Sequence, residues 1–198
     1  MMEAKTKPSG LIVIISAPSG AGKTTLCKRL AERNRALLFS VSYTTRGCRD
    51  GEKEGRDYFF ISREDFLKKR QADFFAEWAE VHGDLYGTSR EALDKAIRQG
   101  RDIVLTIDVQ GASQIKKNYP DAVSIFIHPP TPEDLKKRLE ERRTESEAAI
   151  FMRLARAKEE IEESAGFDYQ IINRKLEEAV GELEEKIALE KSKLNQMR

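Results

Sequence analysis

LIVIISAPSGAGKTT, residues 11–25, decides the fold. Residues 11–15 are an unbroken run of leucine and β-branched residues, the composition of a strand covered on both faces in a parallel sheet. The run leads into Ala17-Pro18-Ser19-Gly20-Ala21-Gly22-Lys23-Thr24-Thr25, and helical spacing begins at once, with Leu26 and Leu30 on one face and Cys27 and Ala31 on another. Strand, glycine loop and helix in that order read as a phosphate-binding loop. Gly20 and Gly22 let the backbone curl so that successive N–H groups point at one anion, where the dipole of the following helix also favours it. Lys23 supplies a mobile cation for the outer phosphates, and the Thr24 hydroxyl is placed for Mg²⁺. Ala17 stands where the loop pattern has glycine. Ala17 and Pro18 both tolerate negative φ, so the loop is expected to form.

Bulk properties narrow the class. The chain has 198 residues, enough for one domain with inserts and a real core. Lys and Arg number 35 against 34 Asp and Glu, a net charge of +1, so bulk charge gives no argument for nucleic acid or an anionic membrane. Any such claim would rest on local arginine clusters. The two cysteines, Cys27 and Cys48, imply no disulfide framework, and Cys27 reads as a core residue. No apolar run approaches transmembrane length and no signal-peptide core opens the chain, so a reducing cytoplasm is expected.

Beyond a polar tail over residues 1–10, the chain alternates strand and helix with two interruptions. A helix over 24–34 and a strand over 36–41 are expected first. Residues 42–57, SYTTRGCRDGEKEGRD, are polar and charged. A short aromatic strand (58–61), a helix (63–71) and strands over 74–81 and 85–88 about a turn at 82–84 follow. This run of short strands marks 40–88 as an inserted subdomain carrying a substrate site. Ser89 then caps a helix that stops at Gly100, a buried strand over 102–107 ends at Asp108, a helix covers 110–118, and another strand covers 122–127. After Pro129-Pro130, Thr131 caps a helix with Pro132 in its first turn, and a second helix spans about 146–165. This pair carries Arg138, Arg142, Arg143, Arg153 and Arg156 on few large apolar residues, and is expected to be an open, mobile lid. A strand over 169–172 and a helix with Leu176, Val180, Leu183 and Ile187 on one face close the chain. The expected architecture is a three-layer α/β fold with a central parallel sheet, in one domain: core 10–39, 89–128 and 166–198, subdomain 40–88, lid 129–165. Ligands of such sheets gather at the carboxyl ends of the strands.

SVSYTTRGCRDGEKEGRDYFF, FFAEWAEV, LYGTS, IDVQGA, FIHPPTPEDLKKRLEERRTES and YQIIN, in this order over nearly the whole chain, resemble the guanylate kinase family. The resemblance implies transfer of the γ-phosphoryl of ATP to GMP, and to dGMP, with Mg²⁺, in purine nucleotide metabolism. It assigns residues 17–25, Arg142 and Asn173 to ATP. It assigns Ser42, Glu77 and Thr88 to the guanine base, and Arg46, Arg49, Tyr58 and Tyr86 to the GMP phosphate, with Gly87, Asp108 and Gly111 also on the GMP side. Lys23, Arg46, Arg138, Arg142 and Arg153 are implied to stabilise the transferring charge. The chemistry suits the residues: arginine forks fit phosphate oxygens, and a carboxylate accepts the paired N1–H and exocyclic amine of guanine. Arg143 and Arg156 read as solvated helix charges, His82 and His128 as structural or surface residues. Two positions depart from the family pattern. Thr106 replaces the first Asp of Asp-x-Asp-x-Gln-Gly, and Cys48 replaces a proline before Arg49.

Two other readings compete. A kinase for another nucleoside monophosphate is opposed by Glu77. A non-catalytic, kinase-like protein-interaction domain is opposed by the intact Lys23 and Thr24 and by the lid arginines.

Overall fold

Val13, Ile14 and Ile15 are completely shielded from solvent in the computed structural model, which describes residues 10–81, 83–140 and 147–196. The strand that holds them, β1 (Ile12–Ser16), is sandwiched as its composition requires. Val13 and Ile15 face Leu26, Cys27 and Leu30 of α1 (Lys23–Arg33) and Val180, Leu183 and Ile187 of α7 (Leu176–Gln196). Ile12 and Ile14 face Leu93, Ala96 and Ile97 of α3 (Arg90–Arg98) and Ala112 and Ile115 of α4 (Val109–Asn118). Alternate residues of one strand thus feed two separate apolar layers, which is why the run is not interrupted by polar residues.

Around β1 the sheet runs β2 (Leu38–Phe39), β7 (Ile103–Thr106), β1, β8 (Val123–His128), β9 (Tyr169–Ile172), all parallel. The phosphate loop after β1 and Asp108 after β7 therefore leave neighbouring strands at the same edge. A second sheet has the order β4 (Phe59–Phe60), β3 (Tyr43–Thr44), β6 (Asp84–Ser89), β5 (Phe75–Val81). In it β3 and β4 are parallel and the other pairs antiparallel. It has its own small core of Phe66, Phe75 and Leu85, with Phe66 contributed by α2 (Arg63–Gln71).

The element order matches the expected fold, with local differences. The strand expected over 36–41 is only two residues long, because the chain stays on the sheet edge just long enough to bond β7 before leaving for the second sheet. Tyr43 and Thr44, expected in a loop, form β3, since Tyr43 stacks on Phe59 and pairs with Gly87.

The pair α5 (Pro132–Glu140) and α6 (Glu147–Glu163), followed by a 3₁₀ turn at Ser164–Gly166, differs from the open, solvated lid expected. Leu135, Leu139 and Ala157 are buried together, with Ile150 and Leu154 against them. Leu135 and Leu139 also lie on Gly20, where a Cβ would come within 3.0 Å of Leu135 Cδ1. The few apolar residues of the lid are placed where they count. The tail to residue 9, His82, Arg142, Arg143 and the expected helix start at Ser146 lie outside the described residues.

Phe66 is fully buried and stacks on Phe75 with ring centroids 4.4 Å apart. Phe66→Ala is expected to cost about 3–5 kcal/mol, read as a lower midpoint in urea denaturation.

Candidate functional site

The loop after β1 is built as its glycines demand. Gly20 and Gly22 have φ of 95° and 92°, and Gly22 is the N-cap of α1. Among the described non-glycine residues only Asp73 has positive φ, so Ala17 and Pro18 sit at negative φ as expected. Ala17 packs against the apolar layer under α1, which gives its methyl group a place. Pro18 O accepts from Ala21 N at 3.1 Å and closes the turn. Thr24 and Thr25 are exposed at the start of α1. Asn173 is buried after β9, and its amide donates to Ala21 O at 2.9 Å. Its visible work is therefore to hold the loop from behind.

Lys23 Nζ donates to the Ile107 carbonyl at the end of β7, 3.1 Å away. Burial lowers its pKa below the ordinary lysine value, opposed by the Cys27 thiol and by Asp108, Glu160 and Glu77. The Cys27 thiol itself is pushed up to about 12 by burial, as befits an inert core residue.

Next to Lys23 opens a cavity of about 170 Å³, lined among others by Ser42, Tyr58, Glu77, Tyr86, Thr106 and Asp108. Two devices aim Glu77 into it. The first is a bulge: Phe75 pairs with Ser89 and Glu77 with Thr88, so Ala76 is an extra residue. Regular alternation would put Phe75 and Glu77 on one face; instead Phe75 enters the aromatic cluster and Glu77 the cavity. The second is space: a Cβ on Gly111 would lie 2.6 Å from Glu77 Oε2. The Thr88 hydroxyl donates to Glu77 Oε1 at 2.6 Å, and Gly111 N–H donates to Asp108 Oδ1 at 2.8 Å, with Asp108 capping α4. Glu77 is 3% exposed, and burial raises its carboxyl to about 7 despite the Thr88 hydrogen bond, with Asp108 adding to the rise.

At the mouth, Tyr58 and Tyr86 meet edge to face, and the Arg46 guanidinium lies 5.3 Å from the Tyr58 ring centre. Arg46 Nη2 donates to both Glu52 carboxylate oxygens, at 2.8 and 3.0 Å, and Glu52 also accepts from Arg49 N at 2.9 Å. From the lid side, Arg138 Nη1 donates to Ala21 O and Arg153 Nη1 to Ser19 Oγ, both at 3.4 Å. Arg138 and Arg153 thus already rest on the phosphate loop.

The guanylate kinase family model matches residues 9–190. The guanylate kinase of Geobacter metallireducens is 48% identical over 93% of this chain and 91% of its own, and that of Symbiobacterium thermophilum 45% over 94% and 89%. The crystal structure of guanylate kinase from Anaplasma phagocytophilum superposes with a TM-score of 0.79 at 35% identity, covering 93% of this chain and 88% of that one.

The chain belongs to the guanylate kinase family.

For a guanylate kinase, the structure gathers the residues expected from sequence at one edge: the loop, Lys23, Ser42, Arg46, Tyr58, Glu77, Tyr86, Thr88, Asp108, Gly111, Arg138 and Arg153. Three stand apart. Gly87 faces Phe75 and Phe66 in the second sheet's core, away from the cavity. The Arg49 side chain is exposed beside the mouth. Arg142 lies outside the described residues. Sequence reasoning missed Glu52, visible only as one charge in a charged run, and dismissed Arg156, although its spacing of three from Arg153 put both on one helix face.

Burial of Glu77 has a pH signature. Its carboxyl rises from the ordinary 4.5 to about 7, so folding takes up a proton between those values. Stability therefore falls as pH rises across this window, and the loss is complete above it. Glu77→Gln removes the penalty. The ligand-free variant is expected to match the parent near pH 4 and to exceed it at pH 8 by about 3 kcal/mol, from 1.36 kcal/mol per pKa unit, in urea denaturation at both pH values.

Proposed function

We propose that this protein transfers the γ-phosphoryl group of ATP to GMP, giving ADP and GDP, and accepts dGMP as well. One observation carries the base specificity: a buried carboxylate, Glu77, is aimed by a bulge into a cavity beside the phosphate-loop lysine. Guanine offers two adjacent donors that a carboxylate accepts as a pair, whereas adenine presents an acceptor at that edge. Ser42 and Thr88 complete the base site in this reading. Arg46, Arg49, Tyr58 and Tyr86 grip the GMP phosphate in this reading, with Asp108 and Gly111 also on the GMP side. Residues 17–25 and Asn173 hold ATP. Ser42, Arg46, Arg49, Tyr58, Glu77, Tyr86 and Thr88 then belong to a subdomain, 40–88, and Arg138, Arg142 and Arg153 to a lid, 129–165, of one domain.

The reaction needs no side-chain nucleophile. An oxygen of the GMP phosphate attacks the γ-phosphorus, and the bond to the β,γ-bridging oxygen breaks, leaving ADP. Charge spreads over the transferring oxygens, and Lys23, Arg46, Arg138, Arg142 and Arg153 stabilise it from both sides. Bound with ATP, Mg²⁺ would neutralise phosphate charge, and the exposed Thr24 hydroxyl is the group that would hold it. Among the described residues no three His, Cys, Asp or Glu side chains converge on a metal position. This suits a cation that keeps waters and is shared with substrate phosphates. No helix among the described residues is long and apolar enough to cross a membrane. We read the reaction as cytoplasmic, in purine nucleotide supply.

A coupled ADP-release assay with GMP, dGMP, AMP, dTMP and UMP tests this reading. Turnover with GMP and dGMP, and little with the others, is expected. Glu77→Gln sets an amide donor against a guanine donor and should lower kcat/KM for GMP by about 10- to 100-fold, leaving KM for ATP within about twofold. Equal damage toward both substrates would make Glu77 a fold residue.

A further inference from the structure

Asp108 Oδ2 is buried and has no hydrogen-bond partner, while Oδ1 is committed to the Gly111 N–H at the start of α4. A buried carboxylate oxygen without a donor is costly. The nearest cation comes from the lid. Arg156 Nη2 of α6 stands 3.8 Å from that oxygen, outside hydrogen-bond distance but within ion-pair range. The guanidinium is not free to wander: Arg156 Nε donates to Glu160 Oε1, one turn further along α6, at 3.2 Å. The side chains of Asp108 and Glu160 are only 14% and 13% exposed. Burial raises the Glu160 carboxyl, and Arg156 and Lys23 oppose the rise. This is a held cation aimed at an unfilled acceptor, unlike the screened surface pairs that contribute little.

The other two described lid arginines serve the opposite half of the site. Arg138 and Arg153 bond the phosphate loop, on the ATP side. Arg156 reaches Asp108, between the end of β7 and the N-terminus of α4, where Asp108 lines the acceptor cavity.

We propose that Arg156 is a positioning residue: seated by Glu160, it supplies the donor that Asp108 Oδ2 lacks when the lid closes, and so fixes the acceptor side of the cavity in step with the ATP side. A further closure of about 1 Å would bring the pair into hydrogen-bond range. Arg156 touches neither reacting phosphate in this account; it acts through Asp108. The inference rests on the reading of the cavity as the GMP site.

A kinetic double-mutant cycle tests it, using Arg156→Ala, Arg156→Lys, Asp108→Asn and the double variant Arg156→Ala/Asp108→Asn, with GMP and ATP varied separately. Arg156→Ala is expected to lower kcat by about tenfold, equivalent to about 1.4 kcal/mol, with KM for ATP within about twofold. Arg156→Lys, which keeps the charge, should recover to within about threefold of the parent. On the Asp108→Asn background, Arg156→Ala should have less than a twofold effect, because the partner is already gone. An Arg156→Ala variant within twofold of the parent in kcat would overturn the proposal, as would losses that multiply in the double variant. Parent protein inactive on GMP would instead overturn the reading of the cavity, so the two failures are distinguishable. Melting temperatures of the single variants separate a loss of fold from a loss of positioning.

Discussion

One buried ammonium group joins the parts of this protein. Lys23 leaves the phosphate loop, bonds the carbonyl at the end of β7, and sits in the field of three carboxylates. Each carboxylate comes from a different part of the fold: Asp108 from the main sheet's edge, Glu77 from the second sheet, Glu160 from the lid helix. A cation stripped of water is tolerable only with such company. The arrangement exists because β1 and β7 are parallel neighbours whose ends coincide, with Ile15 opposite Thr106. The loop lysine and the Asp108 cap are therefore delivered to one place by the sheet itself.

How much of this was readable from the chain depended on how local the cause was. The buried strand, the loop, the caps at Ser89 and Thr131 and the last strand are written in adjacent residues, and each was recovered. The two-residue strand β3 was not, and β2 and β4 are shorter than the strands expected over 36–41 and 58–61, since their extent depends on partners far along the chain. The bulge at Ala76 left a trace in FFAEWAEV, where acidic residues fall at 77 and 80 and break a period of two. Only the pairing with Ser89 and Thr88 turns that trace into a direction for Glu77.

The site shows the same limit. Family resemblance placed Arg46 at the phosphate, but the partner that presets its fork, Glu52, is a contact no motif announced. Asn173 is assigned to the nucleotide by resemblance, and the bond from its amide to the loop backbone at Ala21 O is a contact no motif announced. The lid looked solvated because its apolar residues are few. Leu135 and Leu139 are nonetheless almost fully buried, because Gly20 leaves room for them and the two helices share a small core. Composition averages over a helix; packing does not.

The bulge makes the direction of Glu77 a matter of counting. From Glu77 onward, β5 presents alternate residues to the cavity, with Ala79 and Val81 following Glu77 on its lining. Ala76 is the extra residue that sets this phase against Phe75. Deleting that single small residue would leave every side chain in the segment chemically intact. It would also ask the strand to choose between burying Phe75 in its aromatic cluster and turning the carboxylate inward. The direction of the Glu77 carboxylate is thus stored in the length of the strand as well as in its composition. An insertion or deletion here would act as a change of alphabet, whereas elsewhere on this surface it would be a change of one letter.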